Sequence, residues 1–145
     1  MKLTAGQRTA AMVRIEFARG ELADLAEHSR LDWIAFQIQA ESKSRRNVER
    51  IAENVAKAAI DIAKILLSVR EVAVPATYRE VLAATVPAGL ADENQAPELI
   101  RLAQLRNRLS HRHLDYKWEL VTWFLDGGQL VVSTRLDRCG QAVSP

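Results

Sequence analysis

The stretch that decides the fold is residues 48–69, which read VERIAENVAKAAIDIAKILLSV. Apolar residues recur there at alternating steps of three and four, as in a helix that packs nearly parallel or antiparallel to a neighbour. They are Val48, Ile51, Val55, Ala58, Ile62, Ile65 and Val69. Alanines beside this row, at 52, 56, 59 and 63, let a second helix approach closely. The stretch therefore predicts a long helix in an antiparallel bundle.

The chain around this helix is also poor in residues that break helices. Between Gln7 and Val74 it contains one glycine and no proline. Good helix formers dominate this range, and they predict a first helix over residues 7–27. Asp32 is a candidate N-cap for a short segment that follows. Pro75 ends the long helix, and residues 78–85 are predicted to form a short one.

The second half of the chain predicts fewer and shorter elements. A helix over 94–110, with Asp92 as its N-cap, buries Leu99, Leu102, Leu105 and Leu109. A last short helix is expected over 118–125. The run Asp126-Gly127-Gly128 indicates a turn, with a short strand or extended tail after it. The prediction is an all-α bundle of four or five helices over 1–125, with a turn and a short irregular C-terminal tail over 126–145.

Composition and charge exclude several classes of protein. A chain of 145 residues is the usual size of one domain with one core. Its 20 basic and 18 acidic residues give a net charge of +2, too low for purely electrostatic binding of nucleic acid. The single cysteine, Cys139, excludes an intrachain disulfide. Charged residues interrupt every apolar run, so we expect a cytoplasmic protein without a membrane segment.

One segment carries residues suited to chemistry: residues 106–113, which read RNRLSHRH. Arg106 lies four positions after Leu102 and three before Leu109, within the apolar stripe of its helix. A charge there needs a partner, because burying it unpaired costs several kcal/mol. The sequence leaves two outcomes open: an ion pair with an acid of another helix, such as Asp61, or a cavity or interface where an anion binds.

His111 and Asn107 extend this candidate site. Five helical steps would turn His111 about 140° away from Arg106, at 100° per residue. Either the helix ends near Ser110, or another subunit completes the pair. Asn107 lies four positions before His111, so it could orient the imidazole or contact the same ligand. Guanidinium groups bind phosphate oxygens, and imidazole transfers protons near neutral pH, so the set favours phosphate chemistry.

At these residues the sequence resembles the HEPN superfamily, whose signature is Arg, a polar residue, and His a few positions later. The match extends to its HepT-like branch through three blocks: IDIA at 60–63, VPATYRE at 74–80 and LRNRLSH at 105–111. Together these blocks lie within residues 45–120. The branch usually reads His-x-Tyr, with AMP attached to the Tyr, whereas this chain has His113 at that position and its next tyrosine at Tyr116.

The resemblance implies a homodimeric helical toxin that cleaves RNA without a metal or cofactor, at a composite site where two motifs meet. The RNA 2′-hydroxyl would attack its own phosphorus and leave a 2′,3′-cyclic phosphate. Arg106 would bind the scissile phosphate, His111 would act as general acid or base, and Asn107 would position either. Many relatives pair with a nucleotidyltransferase antitoxin. Five further residues are candidates for RNA contacts or secondary roles: Arg46, Arg108, Arg112, His113 and Tyr116.

Other interpretations of the sequence either have less support or assign the protein to another functional class. Histidines two apart on a helix point about 200° from each other, so His111 and His113 do not favour a metal site. Trp33, Trp118 and Trp123 are expected in the core or in dimer contacts rather than as platforms for bases. The second function to consider is a non-catalytic interaction or nucleotide-binding subunit that partners a nucleotidyltransferase.

Overall fold

A computed structural model describes residues 2–25, 33–38, 42–108 and 114–144, and all regular structure in these ranges is helical. A 3₁₀ turn precedes α5, and a π-helical turn joins α6 directly to α7. The predicted all-α bundle is confirmed. Its elements are α1 (Ala5–Leu25), α2 (Trp33–Gln37), α3 (Ser42–Val69), α4 (Tyr78–Ala84), the 3₁₀ turn (Glu93–Gln95), α5 (Ala96–Arg108), α6 (Leu114–Trp123), the π turn (Phe124–Gly128) and α7 (Gln129–Val143).

Helix α3 is the centre of the bundle. It packs most extensively on α1 and α5, and it also contacts α4, α7 and α6. The predicted apolar row is buried from Val48 to Ile62, whereas Ile65 and Val69 are half-buried. The four alanines beside that row are buried too. Small side chains on several faces therefore let α3 pack against other helices on more than one side.

The segment after α3 fixes the start of α4. Glu71 adopts a positive φ of 58°, which takes the chain out of the helix shortly before Pro75. Thr77 is the N-cap of α4, and its hydroxyl accepts a hydrogen bond from the Glu80 amide at 3.2 Å. Tyr78 consequently occupies the first position of a capped helix.

The turn before α5 confirms the predicted role of Asp92. This residue precedes the 3₁₀ turn with an extended backbone, and its amide donates to the Gln95 side chain at 3.1 Å. Helix α5 then buries Leu99, Leu102 and Leu105, as predicted. Leu109, the fourth leucine of that prediction, lies outside the described residues.

The expected turn and irregular tail after residue 125 are wrong. The backbone stays helical through the π turn and continues as α7, whose Val132, Leu136 and Val143 join the core. Two ion pairs accompany this packing: Arg19 to Asp137 at 3.2 Å and Arg138 to Asp92 at 3.5 Å. Helix α7 lies chiefly along α1. Tertiary burial thus overrides the local preference of the Gly-Gly pair for a turn.

The two glycines of the π turn have different surroundings. A Cβ at Gly128 would lie 2.8 Å from Cζ3 of Trp123, whereas one at Gly127 would meet nothing within 4 Å. Gly128 is thus required by the close approach of an indole ring rather than by a turn. Its carboxyl-terminal neighbour, Gln129, begins α7.

Within the described ranges, none of the helices combines the length and the apolar character needed to span a bilayer.

Candidate functional site

The predicted motif lies at the end of α5 and in the connection to α6. Arg106 is described in full, near the carboxyl end of α5. The structure places Asn107 and Arg108 in α5 and Tyr116 in α6 by their backbone alone. Three residues of the prediction lie outside the described ranges: His111, Arg112 and His113. The geometry of the site is therefore read from the surroundings of Arg106.

Arg106 forms an ion pair across the bundle with Glu53 of α3. Its Nη1 donates to Glu53 Oε1 at 3.2 Å. The Arg106 side chain is 27% exposed and that of Glu53 is 41% exposed, so water screens the pair in part. Of the two outcomes left open by the sequence, the acid of another helix is present. The suggested acid was the wrong one, because Asp61 lies 3.7 Å from Arg14 of α1 instead.

The aromatic ring of Tyr78 forms a second boundary of the Arg106 site. The guanidinium carbon of Arg106 lies 5.2 Å from the ring centroid, within the range of a cation–π contact. Lys64 of α3 approaches the same ring, with its Nζ 5.5 Å from the centroid. Two cations, one from α3 and one from α5, therefore meet at the ring of Tyr78 at the capped start of α4.

Part of the Arg106 guanidinium retains unused hydrogen-bonding capacity. Its Nε is buried and has no hydrogen-bond partner among the residues that the structure describes. An arginine presents five N–H donors in a rigid fork, and an anion with several oxygens can engage those that protein groups leave open. Glu53 and Tyr78 fix the position of the side chain, and because it is 27% exposed, an anion can reach its outer donors but not the buried Nε. Such an arrangement suits binding of a phosphate oxygen.

Among the basic residues at the start of α3, two neighbours have different roles. Arg45 is structural, because its Nη1 donates to the Phe36 carbonyl at 2.9 Å and its guanidinium carbon lies 5.5 Å from the Phe36 ring. Arg46 is exposed. Seven residues separate Arg46 from Glu53, so both lie on nearly the same side of α3, about 10.5 Å apart along its axis. Arg46 is thereby available for contacts with an extended anion near Arg106.

Sequence reasoning missed Glu53, Tyr78 and Lys64 as parts of the site. A signal for Tyr78 was present, since it lies in the VPATYRE block that carries the family resemblance. On its side of α3 Glu53 has the charged neighbours Glu49 and Lys57, so its spacing gives no sign that its carboxylate has an interhelical partner. Nothing in the spacing of Lys64 distinguishes it from an ordinary surface lysine.

A comparison with models of protein families finds a match that includes the residues of this site. The model described as Ribonuclease HepT-like matches residues 19–126, about three quarters of the chain. The chain belongs to the ribonuclease HepT-like family. This membership places the HepT-like chain in the HEPN superfamily, as its motif indicated. No curated protein matches the sequence.

The HepT-like match covers α3 to α6, and with them Glu53, Tyr78 and Arg106. Family membership supports ribonuclease activity and RNA as the substrate. Helix α7 lies beyond the matched range, although it completes the core. Within the part of the chain that the structure describes, no three His, Cys, Asp or Glu side chains group as metal ligands would.

Proposed function

We propose that this HepT-like protein is an endoribonuclease that cleaves RNA without a metal ion, at a composite site formed by two copies of the chain. The observation that carries the proposal is the Arg106 guanidinium, which Glu53 and Tyr78 hold in place while the side chain stays 27% exposed, so that its outer N–H donors can reach an anion. A donor fixed in advance stabilises developing charge on a phosphate without reorganisation during the reaction.

The proposed reaction transfers the phosphodiester within the RNA. The 2′-hydroxyl oxygen attacks the adjacent phosphorus, the bond to the 5′-oxygen of the next nucleotide breaks, and a 2′,3′-cyclic phosphate and a 5′-hydroxyl result. His111 removes the proton from the nucleophile or gives one to the leaving oxygen. Arg106 binds the non-bridging phosphate oxygens, and Asn107 positions His111 or the substrate. Arg46, Arg108 and Arg112 are proposed to contact neighbouring phosphates.

The proposed biological role is that of a toxin whose partner is a nucleotidyltransferase antitoxin. Family membership supports this role, because the matched family belongs to the toxin branch of the superfamily. His113 stands where the branch pattern has its modified tyrosine. We therefore propose that the antitoxin acts by binding, with Tyr116 as the alternative site of modification. Growth arrest on expression, relieved by the co-expressed nucleotidyltransferase, is the expected result.

A cleavage assay with single-stranded RNA and tRNA in excess EDTA tests the activity. Wild type is expected to cut, whereas His111→Ala and Arg106→Ala leave the RNA intact, with Arg70→Ala as a matched surface control. The new 5′ ends should accept phosphate from a kinase without prior phosphatase treatment. Identical undegraded RNA with wild type and His111→Ala overturns the proposal.

Mixing two inactive variants tests the composite site. A heterodimer of Arg106→Ala with His111→Ala has one intact site if arginine and histidine come from different copies. After random exchange of subunits, activity should return to about a quarter of the wild-type value. No recovery, with heterodimers present, shows that each copy carries a whole site.

A second candidate function is favoured by the Glu53 contact. Since Glu53 already supplies Arg106 with a counter-charge, the arginine could serve packing alone. The chain would then be a non-catalytic subunit that binds a nucleotide or a nucleotidyltransferase. Stable complex formation with that enzyme, in the absence of RNA cleavage by wild type, is the result that favours this candidate.

A further inference from the structure

A pocket between α5 and α6 is not part of the site around Arg106. It is an open groove rather than an enclosed cavity, with a volume of about 400 Å³. The residues that line it are Arg101, Trp118, Glu119, Thr122 and Trp123. It opens between α5 and α6, the two helices that precede and follow residues 109–113 in the chain.

Both indole rings of the pocket are held by neighbouring side chains. Trp123 Nε1 donates to Glu98 Oε2 of α5 at 2.9 Å, and the six-membered part of the ring lies against the backbone of Gly128. Trp118 packs on Phe36, with ring centroids 5.2 Å apart and planes inclined at 52°. Rings fixed before binding lose little conformational entropy when a flat ligand stacks on them.

The polar residues of the pocket complement the edge of a nucleobase. Thr122 Oγ1 is buried and finds no hydrogen-bond partner in the described part of the chain. Glu119 lies three positions before Thr122, so both occupy one side of α6. A carboxylate accepts hydrogen bonds and donates none at neutral pH, which suits the amino group of a base. Arg101 of α5 is exposed and forms no ion pair within the described residues, so it can meet a phosphate.

The sequence favoured core or dimer contacts for Trp118 and Trp123. Because both rings line this pocket, we propose that it binds an unpaired nucleobase of the RNA, stacked on the two indoles, with Arg101 on an adjacent phosphate. Glu119 accepts from the amino group of the base, and Thr122 hydrogen-bonds to its edge once a rotation about χ1 brings the buried hydroxyl into the pocket. Adenine and cytosine carry such an amino group and uracil does not, so the pocket selects against uracil. This inference rests on the proposed ribonuclease function, because it assigns a base-selecting subsite to the same substrate.

Binding of uncleavable RNA tests the pocket separately from catalysis. Hexanucleotides of 2′-O-methyl adenosine, cytidine and uridine lack the nucleophilic hydroxyl, and tryptophan fluorescence reports stacking on the indoles. Wild type should bind the adenosine and cytidine hexamers more tightly than the uridine hexamer. Glu119→Gln should remove most of that difference. Arg101→Ala should weaken all three and reduce the salt dependence by about one phosphate contact, whereas Arg70→Ala should change nothing.

Thr122→Val is the most specific variant, because valine keeps the shape of threonine and lacks its hydroxyl. Removing a buried hydroxyl that has no partner should leave the midpoint of thermal unfolding unchanged or raise it. Affinity for the adenosine hexamer should nevertheless fall about 2- to 12-fold, the equivalent of one hydrogen bond. Substitution of a residue with a structural role alone would not weaken binding while leaving the midpoint of thermal unfolding unchanged or raised.

The outcomes distinguish the pocket from the proposed function. If wild type binds the hexamers with the stated preference and cuts no RNA, the pocket stands and the ribonuclease proposal fails. If wild type cuts RNA, and Thr122→Val and Glu119→Gln bind the hexamers as wild type does, the pocket alone is overturned. Unchanged tryptophan fluorescence at saturating hexamer also overturns it.

Discussion

Arg106 of α5 and Glu53 of α3 form an ion pair that crosses the bundle, with 3.2 Å between Nη1 and Oε1. Tyr78 of α4 lies against the same guanidinium, so three helices determine where its remaining donors point. The side chain is charged and lies among leucines, and the pair with Glu53 offsets part of the cost of that position. A catalytic role and a structural role for Arg106 can be distinguished by how much its substitution reduces the rate of RNA cleavage.

Arg106→Ala is expected to reduce kcat/KM for RNA cleavage by about 10²- to 10³-fold, the equivalent of losing one preorganised donor to developing charge. Arg106→Lys should restore little, because an ammonium group cannot reproduce the planar fork. Single-turnover cleavage of a defined RNA measures both variants against Arg70→Ala. A loss below tenfold for the alanine variant would show that Arg106 is structural.

Glu53→Gln keeps the size of the side chain and removes the charge that orients Arg106. We expect kcat/KM to fall about tenfold, through less exact positioning of the guanidinium. The free energy of unfolding should change by less than about 1 kcal/mol, because a half-exposed pair contributes little to stability. Glu93→Gln, on the 3₁₀ turn, is the matched control. In an Arg106→Ala background, Glu53→Gln should cause no further loss of activity, and a full second loss there would contradict the positioning role.

The adjacent glycines of the π turn provide a matched test of its packing. Gly128→Ala places a methyl group against the Trp123 ring and should destabilise the fold by about 1–3 kcal/mol. Gly127→Ala meets open space and should stabilise it by about 0.5–1 kcal/mol, since alanine favours helix over glycine. Urea unfolding of both variants checks the difference. Equal effects would mean that the indole does not lie against Gly128.

Cys139 makes stability depend on pH in the alkaline range. Burial raises the pKa of its thiol above the usual value, and the nearby Arg135 opposes that rise in part. The folded state therefore keeps the proton at pH values where the unfolded chain has lost it. This contribution is fully present below the ordinary thiol pKa and disappears as pH rises through the raised value.

Wild type should consequently lose stability relative to Cys139→Ala between pH 8 and pH 10. The slope of the difference should not exceed about 1.4 kcal/mol per pH unit, the limit for one proton. Denaturant titrations of both proteins across this range supply the measurement, and subtraction removes every other titrating group. A difference that is flat, or that grows in favour of wild type, contradicts the assigned direction.

Periodicity predicted α3 and α5 correctly because their apolar residues recur over many turns, as at Val55 and Leu102. The caps at Thr77 and Asp92 lie beside helices whose positions were expected. The carboxyl-terminal helix was missed, because Gly127 and Gly128 suggest a turn when judged by local preference. What keeps the backbone helical is the burial of Val132, Leu136 and Val143 in the core, which outweighs the local preference of the two glycines.

The candidate site, like the fold, was predicted from the sequence only in part. The family motif led to Arg106, and helical spacing placed its charge within an apolar stripe that needed a partner. The identity of that partner depends on how far α5 is displaced along α3, which periodicity does not fix. Asp61 and Glu53 lie two turns apart on α3, so a difference of about 12 Å along the axis selects between them.

Helix α7 also shows that the family match and the folding unit have different limits. A fragment that stopped at residue 126 would contain Arg106, Glu53 and Tyr78, yet it would lack the apolar side chains that cover one flank of α1. Ala11 and Ile15, now fully shielded from water, belong to the α1 core that this flank encloses. Such a fragment should aggregate on expression, so recombinant boundaries for this protein belong after Val143.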